Sequence, residues 1–292
     1  MITVKNLTKT FKDGPKETHV LRGIDFTVTD GEFVAIMGRS GAGKSTFMYQ
    51  MSLLDEPTSG EIFIDGKEAH SMSEHEKMLF RLVEFGYVFQ DYALLPELTA
   101  LENVVVPLLM QGLSKSAAEA KAKLALEKVG LGKRLGNLPS QLSGGEQQRV
   151  SISRAIAHEP SVLFADEPTA NLDIHSTEVV HRILRERVKL GATIVMTTHD
   201  MDEVEQICDR VGIVCKGKLV ALDSPLALRQ EHTERKVDVI LADGERRVFD
   251  MDNERSRGDL AALLAAGNVA SMRTREFDFH ATFLKLTGLA FE

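Results

Sequence analysis

A chain of 292 residues with a formal net charge of −8 and 43% apolar residues has the size of one large domain, or of one domain with an appendage. Its acidic balance argues against non-specific nucleic-acid binding and leaves room only for a local basic patch. No apolar run approaches the ~18 residues of a membrane span; the longest, Val104 to Met110, is interrupted by Pro107. The opening MITVKNLTKTF lacks the apolar centre of a signal peptide, so the chain is not expected to enter or cross a membrane by itself. Cys208 and Cys215 fit no CxxC or zinc spacing and read as reduced thiols, as in a reducing cytosol.

In chain order, residues 2–11 alternate loosely and read as a strand ending at Phe11. Asp13-Gly14-Pro15 is a turn cluster. Residues 20–28 read as a second strand, followed by Asp30-Gly31 as a tight hairpin-type turn. Phe33 to Met37 is an unbroken apolar run, the pattern of a parallel strand buried on both faces. Ser161 to Ala165 and Thr193 to Thr197 repeat it. Helical patterns at about 116–129, 145–157 and 176–189 separate these runs, the first with a capping-box signal at Ser116 and Glu119. Strands alternating with helices imply an α/β fold with a mostly parallel sheet. Past Pro225 the texture changes. Two short strands at 236–241 and 246–250, a helix near 257–266, a strand near 269–275 and a helix near 279–287 predict a small α+β appendage. It follows a linker around Asp223-Ser224-Pro225, which sets the divisions at 1–224 and 225–292.

The run at Phe33 feeds a glycine-rich loop, Gly38-Arg39-Ser40-Gly41-Ala42-Gly43-Lys44-Ser45, which fits G-x-x-x-x-G-K-[ST]. Glycines let backbone N–H groups turn inward around phosphate oxygens. The helix opening at Gly43 adds its positive N-terminal end. Lys44 is expected on the β- and γ-phosphates and Ser45 on Mg²⁺, with Thr46 the next phosphate contact. Candidate nucleotide contacts are therefore Gly38, Ser40, Gly41, Gly43, Lys44, Ser45 and Thr46. At the end of the second run, Asp166-Glu167 places two carboxylates where ligands bind an open α/β sheet. Asp166 is suited to hold Mg²⁺ and Glu167 to polarise the attacking water.

Leu142-Ser143-Gly144-Gly145-Glu146-Gln147-Gln148-Arg149 is a second anion site. Its glycines open a helix whose N–H groups face outward, and Ser143 adds a hydroxyl. One nucleotide has one γ-phosphate, so two phosphate-binding surfaces on one chain call for head-to-tail pairing. Each ATP then lies between the loop of one subunit and the Ser143-Gly144-Gly145 turn of another.

With these motifs, residues 2–222 resemble the ATPase subunits of ABC transporters. The resemblance implies a P-loop NTPase core with an antiparallel β subdomain and a helical signature subdomain. It also implies ATP and Mg²⁺ as ligands and four further roles. Phe11 matches the residue that stacks on adenine, where tyrosine is commoner. Gln90, in Tyr87-Val88-Phe89-Gln90, matches the glutamine that senses Mg²⁺ and water. Asp173 matches the aspartate that signals across the dimer. His199, in Thr197-Thr198-His199-Asp200, matches the switch histidine on the γ-phosphate, and it also ends a buried parallel strand beside Glu167. The catalytic set is then Lys44, Gln90, Glu167 and His199, and the metal set Ser45, Gln90 and Asp166. His19, His70 and His232 read as surface residues.

The implied partners are a second cassette, most simply an identical one, and an integral membrane permease docking near residues 90–103. The subunit would then sit in the cytoplasm on the inner face of the membrane. LLPELTALENVVVPL resembles the lipoprotein-release, macrolide-export and antimicrobial-peptide-resistance subfamily. The tail through ALDSPLALR and FHATFLKLTG resembles longer drug-export ATPases. A soluble DNA-repair, chromosome or translation ATPase is disfavoured, since neither a coiled coil nor a second cassette is visible. A cassette that only binds ATP is disfavoured because every catalytic position is filled.

Overall fold

The computed structural model describes every residue except 171, 233–235, 275–278 and 289–292. It divides into two compact units, Met1–Ser224 and Pro225–Glu292.

The first unit is built on two sheets. β1 (Ile2–Asp13) and β2 (Lys16–Val28) form a long antiparallel hairpin through the Gly14-Pro15 turn. With β4 (Ser59–Ile64) and β5 (Lys67–Glu68) they make a four-stranded antiparallel sheet in the order β2-β1-β4-β5. The second sheet contains β3 (Phe33–Met37), β6 (Phe85–Val88), β7 (Val162–Asp166), β8 (Thr193–Thr198), β9 (Arg210–Cys215) and β10 (Lys218–Asp223). Its order is β10-β9-β3-β8-β7-β6, parallel from β9 to β6 with only β10 antiparallel. Every residue of β3, β7 and β8 is buried, which is why these three strands are the continuous apolar runs of the sequence.

Helix α1 (Lys44–Met51) packs on β2 of one sheet and on β7 and β8 of the other. Its Phe47, Met48 and Met51 share one core cluster with Leu21, Ile24 and Phe26 of the antiparallel sheet and Ile36, Phe164 and Val195 of the parallel one. Phe26 and Phe47 meet edge to face at 5.2 Å, the arrangement ring quadrupoles favour. Helix α2 (Glu74–Val83) precedes β6. Helices α3 (Ala100–Met110), α4 (Lys115–Lys128) and α5 (Gly144–Ile156) pack against one another. This is the helical subdomain that the resemblance implies. Helices α6 (Ile174–Lys189) and α7 (Met201–Ile207) flank β8 in sequence. Among the described residues no helix is long and apolar enough to cross a membrane.

In the second unit, β11 (Lys236–Leu241), β12 (Arg246–Asp250) and β13 (Val269–Thr274) form an antiparallel sheet in the order β12-β11-β13. Val237, Val239, Leu241 and Phe249 pack against Leu260 of α9 (Glu254–Ala265). Helices α8 (Pro225–His232) and α10 (Phe279–Thr287) contact each other.

Four local expectations change. Asp30-Gly31 is not a hairpin, because β2 and β3 belong to different sheets. The hairpin arms reach Asp13 and Lys16, since backbone pairing continues through polar residues that carry no alternation. Asp223 ends β10 and Pro225 opens α8, so the expected linker is only the junction between them; proline suits the first helical position. The cap of α4 is Ser114 rather than Ser116: Ser114 has extended dihedrals, and its side chain accepts from the Ala117 N–H. Ser116 already lies inside the first turn, where its hydroxyl cannot reach those amides. Ser114→Ala should therefore destabilise the first unit by ~0.5–2 kcal/mol. Ser116→Ala should stay within about 0.5 kcal/mol of wild type. Thermal melts followed by circular dichroism compare the two.

Candidate functional site

The site gathers at the ends of β3, β6, β7 and β8. Ten residues line an open cleft of about 550 Å³: Arg39, Ser40, Gly41, Gly43, Lys44, Ser45, Thr46, Gln90, Glu167 and His199. Nine of them are sequence candidates. Arg39 was not singled out, because its motif position constrains no residue type.

The loop is shaped by close approach and handedness. A Cβ on Gly38 would lie 2.4 Å from the Val214 carbonyl oxygen, so only glycine passes under β9. Gly43 caps α1 at φ 101°, a left-handed backbone that other residues avoid. Lys44 is buried; its ammonium donates to the Gly38 carbonyl at 2.9 Å and stands 3.5 Å from Glu167 Oε1.

Asp166 is 1% exposed and accepts from three hydroxyls. Ser45 Oγ donates to Oδ1 at 3.0 Å, Tyr49 OH to Oδ2 at 3.2 Å, and Thr197 Oγ1 also to Oδ1. Burial, then the Asp166 charge, pushes the Tyr49 phenol up to about 12, so it stays a donor. Tyr49 was missed in the sequence, although it lies one turn after Ser45 on the same face of α1.

Glu167 adopts φ 44°, a strained region that costs on the order of 1–3 kcal/mol and clusters at functional sites. Its N–H is held by Thr197, by the carbonyl at 3.0 Å and by Oγ1 at 3.1 Å. That turn aims the carboxylate into the cleft, where Oε2 lies 3.2 Å from His199 Nδ1. A carboxylate between an ammonium and an imidazole is suited to accept a proton from a water held in the cleft.

Seven candidates are not among the lining residues: Gly38 and Asp166, which hold Lys44 and Ser45 from beneath, and Phe11, Ser143, Gly144, Gly145 and Asp173. Phe11 lies on the β1 arm, 47% exposed, with the Lys9 ammonium 5.0 Å from its ring centroid. Ser143 caps α5 in a reciprocal box. Its N–H donates to Glu146 Oε2 at 2.9 Å and its hydroxyl accepts from the Glu146 N–H at 3.2 Å. The Ser143 amide, then Arg134, holds the Glu146 carboxyl below its ordinary range. Asp173 caps α6 by accepting from the Ser176 N–H at 2.9 Å and the Ser176 hydroxyl at 2.7 Å. Arg149 donates to that hydroxyl at 3.0 Å, which ties the signature helix to the Asp173 turn.

The segment after Gln90 is unusual. Tyr92 and Ala93 both have positive φ, 59° and 47°. Arg154 of α5 donates to their carbonyls at 2.9 and 2.5 Å, and burial pulls its guanidinium below its ordinary value. Asn103 of α3 then binds the Leu95 N–H and the carbonyls of Leu95, Leu98 and Thr99. Sequence reading missed Arg154 and used Asn103 only as the end of a segment, because their partners are backbone atoms.

A phosphate loop between a buried parallel strand and a helix, facing paired carboxylates at the end of β7 two strands away, defines a P-loop nucleoside triphosphatase. The family model described as "ABC transporter" matches residues 21–170. An uncharacterized ABC transporter ATP-binding protein of Methanocaldococcus jannaschii is 47% identical over 222 residues, 76% of this chain and 99% of that protein. The lipoprotein-releasing system ATP-binding protein LolD of Aquifex aeolicus is 48% identical over 201 residues, 69% of this chain and 89% of LolD. A solved dimeric ATP-binding cassette in a post-hydrolysis state with ADP and Pi superposes with a TM-score of 0.73. It is 36% identical, over 77% of this chain and 98% of that one. The chain therefore belongs to the ABC transporter family, as one of its ATP-binding, ATP-hydrolysing subunits.

Gly38→Ala should lower the melting temperature and abolish ATP binding, since a carbonyl 2.4 Å from the new Cβ must move with the loop. Gly136→Ala, with nothing within 4 Å, should do neither. Melts combined with binding of a fluorescent ATP analogue check both.

Proposed function

We propose that this chain powers an ABC exporter by hydrolysing ATP between its own phosphate loop and the signature turn of a second copy. One observation carries this reading. Lys44, Ser45, Gln90, Glu167 and His199 face a single cleft, whereas the Ser143-Gly144-Gly145 turn, also built to bind an anion, does not line it. A turn of that kind has work to do only on a nucleotide bound elsewhere, that is, on a partner. The dimeric cassettes among the structural relatives support this pairing.

In the assembled site, loop amides and Lys44 bind the β- and γ-phosphates. Ser45, Asp166 and Gln90 present the hard oxygen donors that suit Mg²⁺. Once bound, Mg²⁺ neutralises charge on the phosphate oxygens. Glu167 orients water in line with the γ-phosphorus and takes its proton as the water oxygen bonds to phosphorus. The bond to the β-phosphate oxygen breaks, leaving ADP and phosphate. His199 holds Glu167 at 3.2 Å and contacts the γ-phosphate. Phe11 stacks on adenine, and Asp173 reports across the dimer.

The permease would dock at the segment 90–103, where Leu95 is half exposed and Arg154 and Asn103 stiffen the backbone. Met78, Leu79 and Val83 of α2 and Met110 of α3 add exposed apolar surface nearby in sequence, of the kind that marks a docking site. The subunit then lies on the inner face of the membrane. Export is supported by the names of its relatives, LolD and the macrolide export protein MacB of Marinobacter nauticus. MacB is 42% identical over 220 residues, which are 75% of this chain and 34% of that protein.

Glu167→Gln should bind ATP while hydrolysing it ~10²–10⁴-fold more slowly, measured by phosphate release. Hydrolysis within about threefold of wild type would show that Glu167 is not the base. With Mg-ATP, Glu167→Gln subunits should shift from monomer to dimer in light scattering, and Ser143→Arg should prevent it. A persistent monomer at saturating Mg-ATP removes the paired site from the reading. All ten residues that line the cleft belong to the first unit. A chain ending at Ser224, shown to be folded by circular dichroism, should therefore keep its ATP affinity.

A further inference from the structure

The cleft leaves one question of aim. His199 is 69% exposed at its side chain, so packing cannot direct the imidazole toward Glu167. Only the backbone on either side can, and that backbone is held from behind. Thr198, the last residue of β8, donates its hydroxyl to Glu203 Oε2 at 2.7 Å. The same hydroxyl oxygen accepts from the Asp200 N–H at 3.0 Å. Asp200 Oδ1 in turn accepts from the Glu203 N–H at 3.1 Å. Thr198, Asp200 and Glu203 thus close a ring of hydrogen bonds around His199.

The other oxygen of Glu203 faces Glu167's side of the site. Oε1 accepts from Thr169 Oγ1 at 2.8 Å and from His181 Nε2 of α6 at 2.8 Å. Thr169 lies two residues past Glu167, in the turn closed by the Ala170 N–H on the Glu167 carbonyl. Glu203 is 2% exposed. A carboxylate buried that deeply is tolerated only with its oxygens satisfied, and two of its three side-chain donors, Thr169 and Thr198, come from the strand ends that carry the reacting groups. A fold that needed only a filled core would place an apolar side chain here at lower cost.

We propose that Glu203 is a positioning residue for hydrolysis: from outside the cleft, its carboxylate clamps the Thr169 turn and Thr198 and so fixes Glu167 and His199 relative to each other. This rests on the hydrolytic reading above. Misplacement of reacting groups by about 1 Å costs up to ~10²-fold in rate, and loss of the clamp acts on geometry rather than on nucleotide contacts.

The test is a double-mutant cycle measured by single-turnover hydrolysis of radiolabelled ATP with enzyme in excess. Glu203→Ala should lower the rate about 10- to 100-fold while the ATP concentration for half-saturation stays within about twofold. In a His199→Ala background the same substitution should cost less than about threefold, because residues acting through one another are not additive. Glu203→Gln, which keeps one acceptor oxygen, should fall between. If Glu203→Ala does not fold, Thr198→Val removes one hydroxyl, the donor to Glu203 and the acceptor of the Asp200 N–H, with little change of shape, and the same non-additive pattern is expected at smaller size. A wild-type rate in the variant, or an equal loss in both backgrounds, makes Glu203 purely structural and overturns the proposal. A His199→Ala protein as fast as wild type would instead refute the hydrolytic assignment on which it stands.

Discussion

The site depends on one buried carboxylate. Asp166 ends the fully buried strand β7 and accepts from Ser45 and Tyr49 on α1 and from Thr197 on β8. An unpaired charge at that depth would cost several kcal/mol, so the three hydroxyls are obligatory partners. They fix α1 to the sheet end, and with α1 they fix the phosphate loop that opens it. Thr197 also holds the amide of Glu167, so the residue that steadies the helix-anchoring carboxylate also sets the strained turn that aims the Glu167 side chain into the cleft. The antiparallel sheet serves the same end, since its Leu21, Ile24 and Phe26 press on α1 from the other side.

Helix α5 distributes this order. Its first turn presents Ser143 and the two glycines outward, while three later side chains reach separate parts of the site. Gln148 donates to the Pro168 carbonyl at 2.7 Å, next to Glu167. Arg149 reaches Ser176, the partner of Asp173. Arg154 holds the Tyr92 and Ala93 carbonyls beyond Gln90. A displacement at the segment after Gln90 is therefore mechanically connected, through one rigid helix, to the turn that would meet a partner's nucleotide. Such a contiguous hydrogen-bonded path is one physical route by which a displacement at one end can reach the other.

Much of this was legible in the sequence because backbone chemistry leaves marks there. The loop needs glycine at 38 and 43 for a close approach and a left-handed turn. The three central strands, covered on both faces, can only be apolar runs. The strand-end acids and His199 follow from where open sheets bind ligands. What escaped was mostly long-range or bonded to main chain. Asp30-Gly31 looked like a hairpin because local turn chemistry cannot say which sheet the next strand joins. Ser116 imitated a cap because a Ser-x-x-Glu spacing recurs by chance two residues inside the helix. Arg154 and Asn103 bind carbonyls and amides, which every residue carries and no motif records.

The sequence by itself determined the chemistry available to this protein: the residue types at the phosphate loop, the acidic end of β7, His199 at the end of β8 and the Ser143-Gly144-Gly145 turn. Those are constrained locally, by dihedral angles, helix ends and the donors a phosphate needs. Only the tertiary structure decided which of them meet. It brought Gln90, Glu167 and His199 to one cleft with Lys44, kept Ser143 and Asp173 out of it, and set Glu203 against Thr169 and Thr198, beside Glu167 and His199 in the chain. The reason is that strand order is settled by packing between segments far apart in the chain. Residues 166 and 197 become neighbours because β7 and β8 pair in parallel, and no spacing along the sequence encodes that pairing.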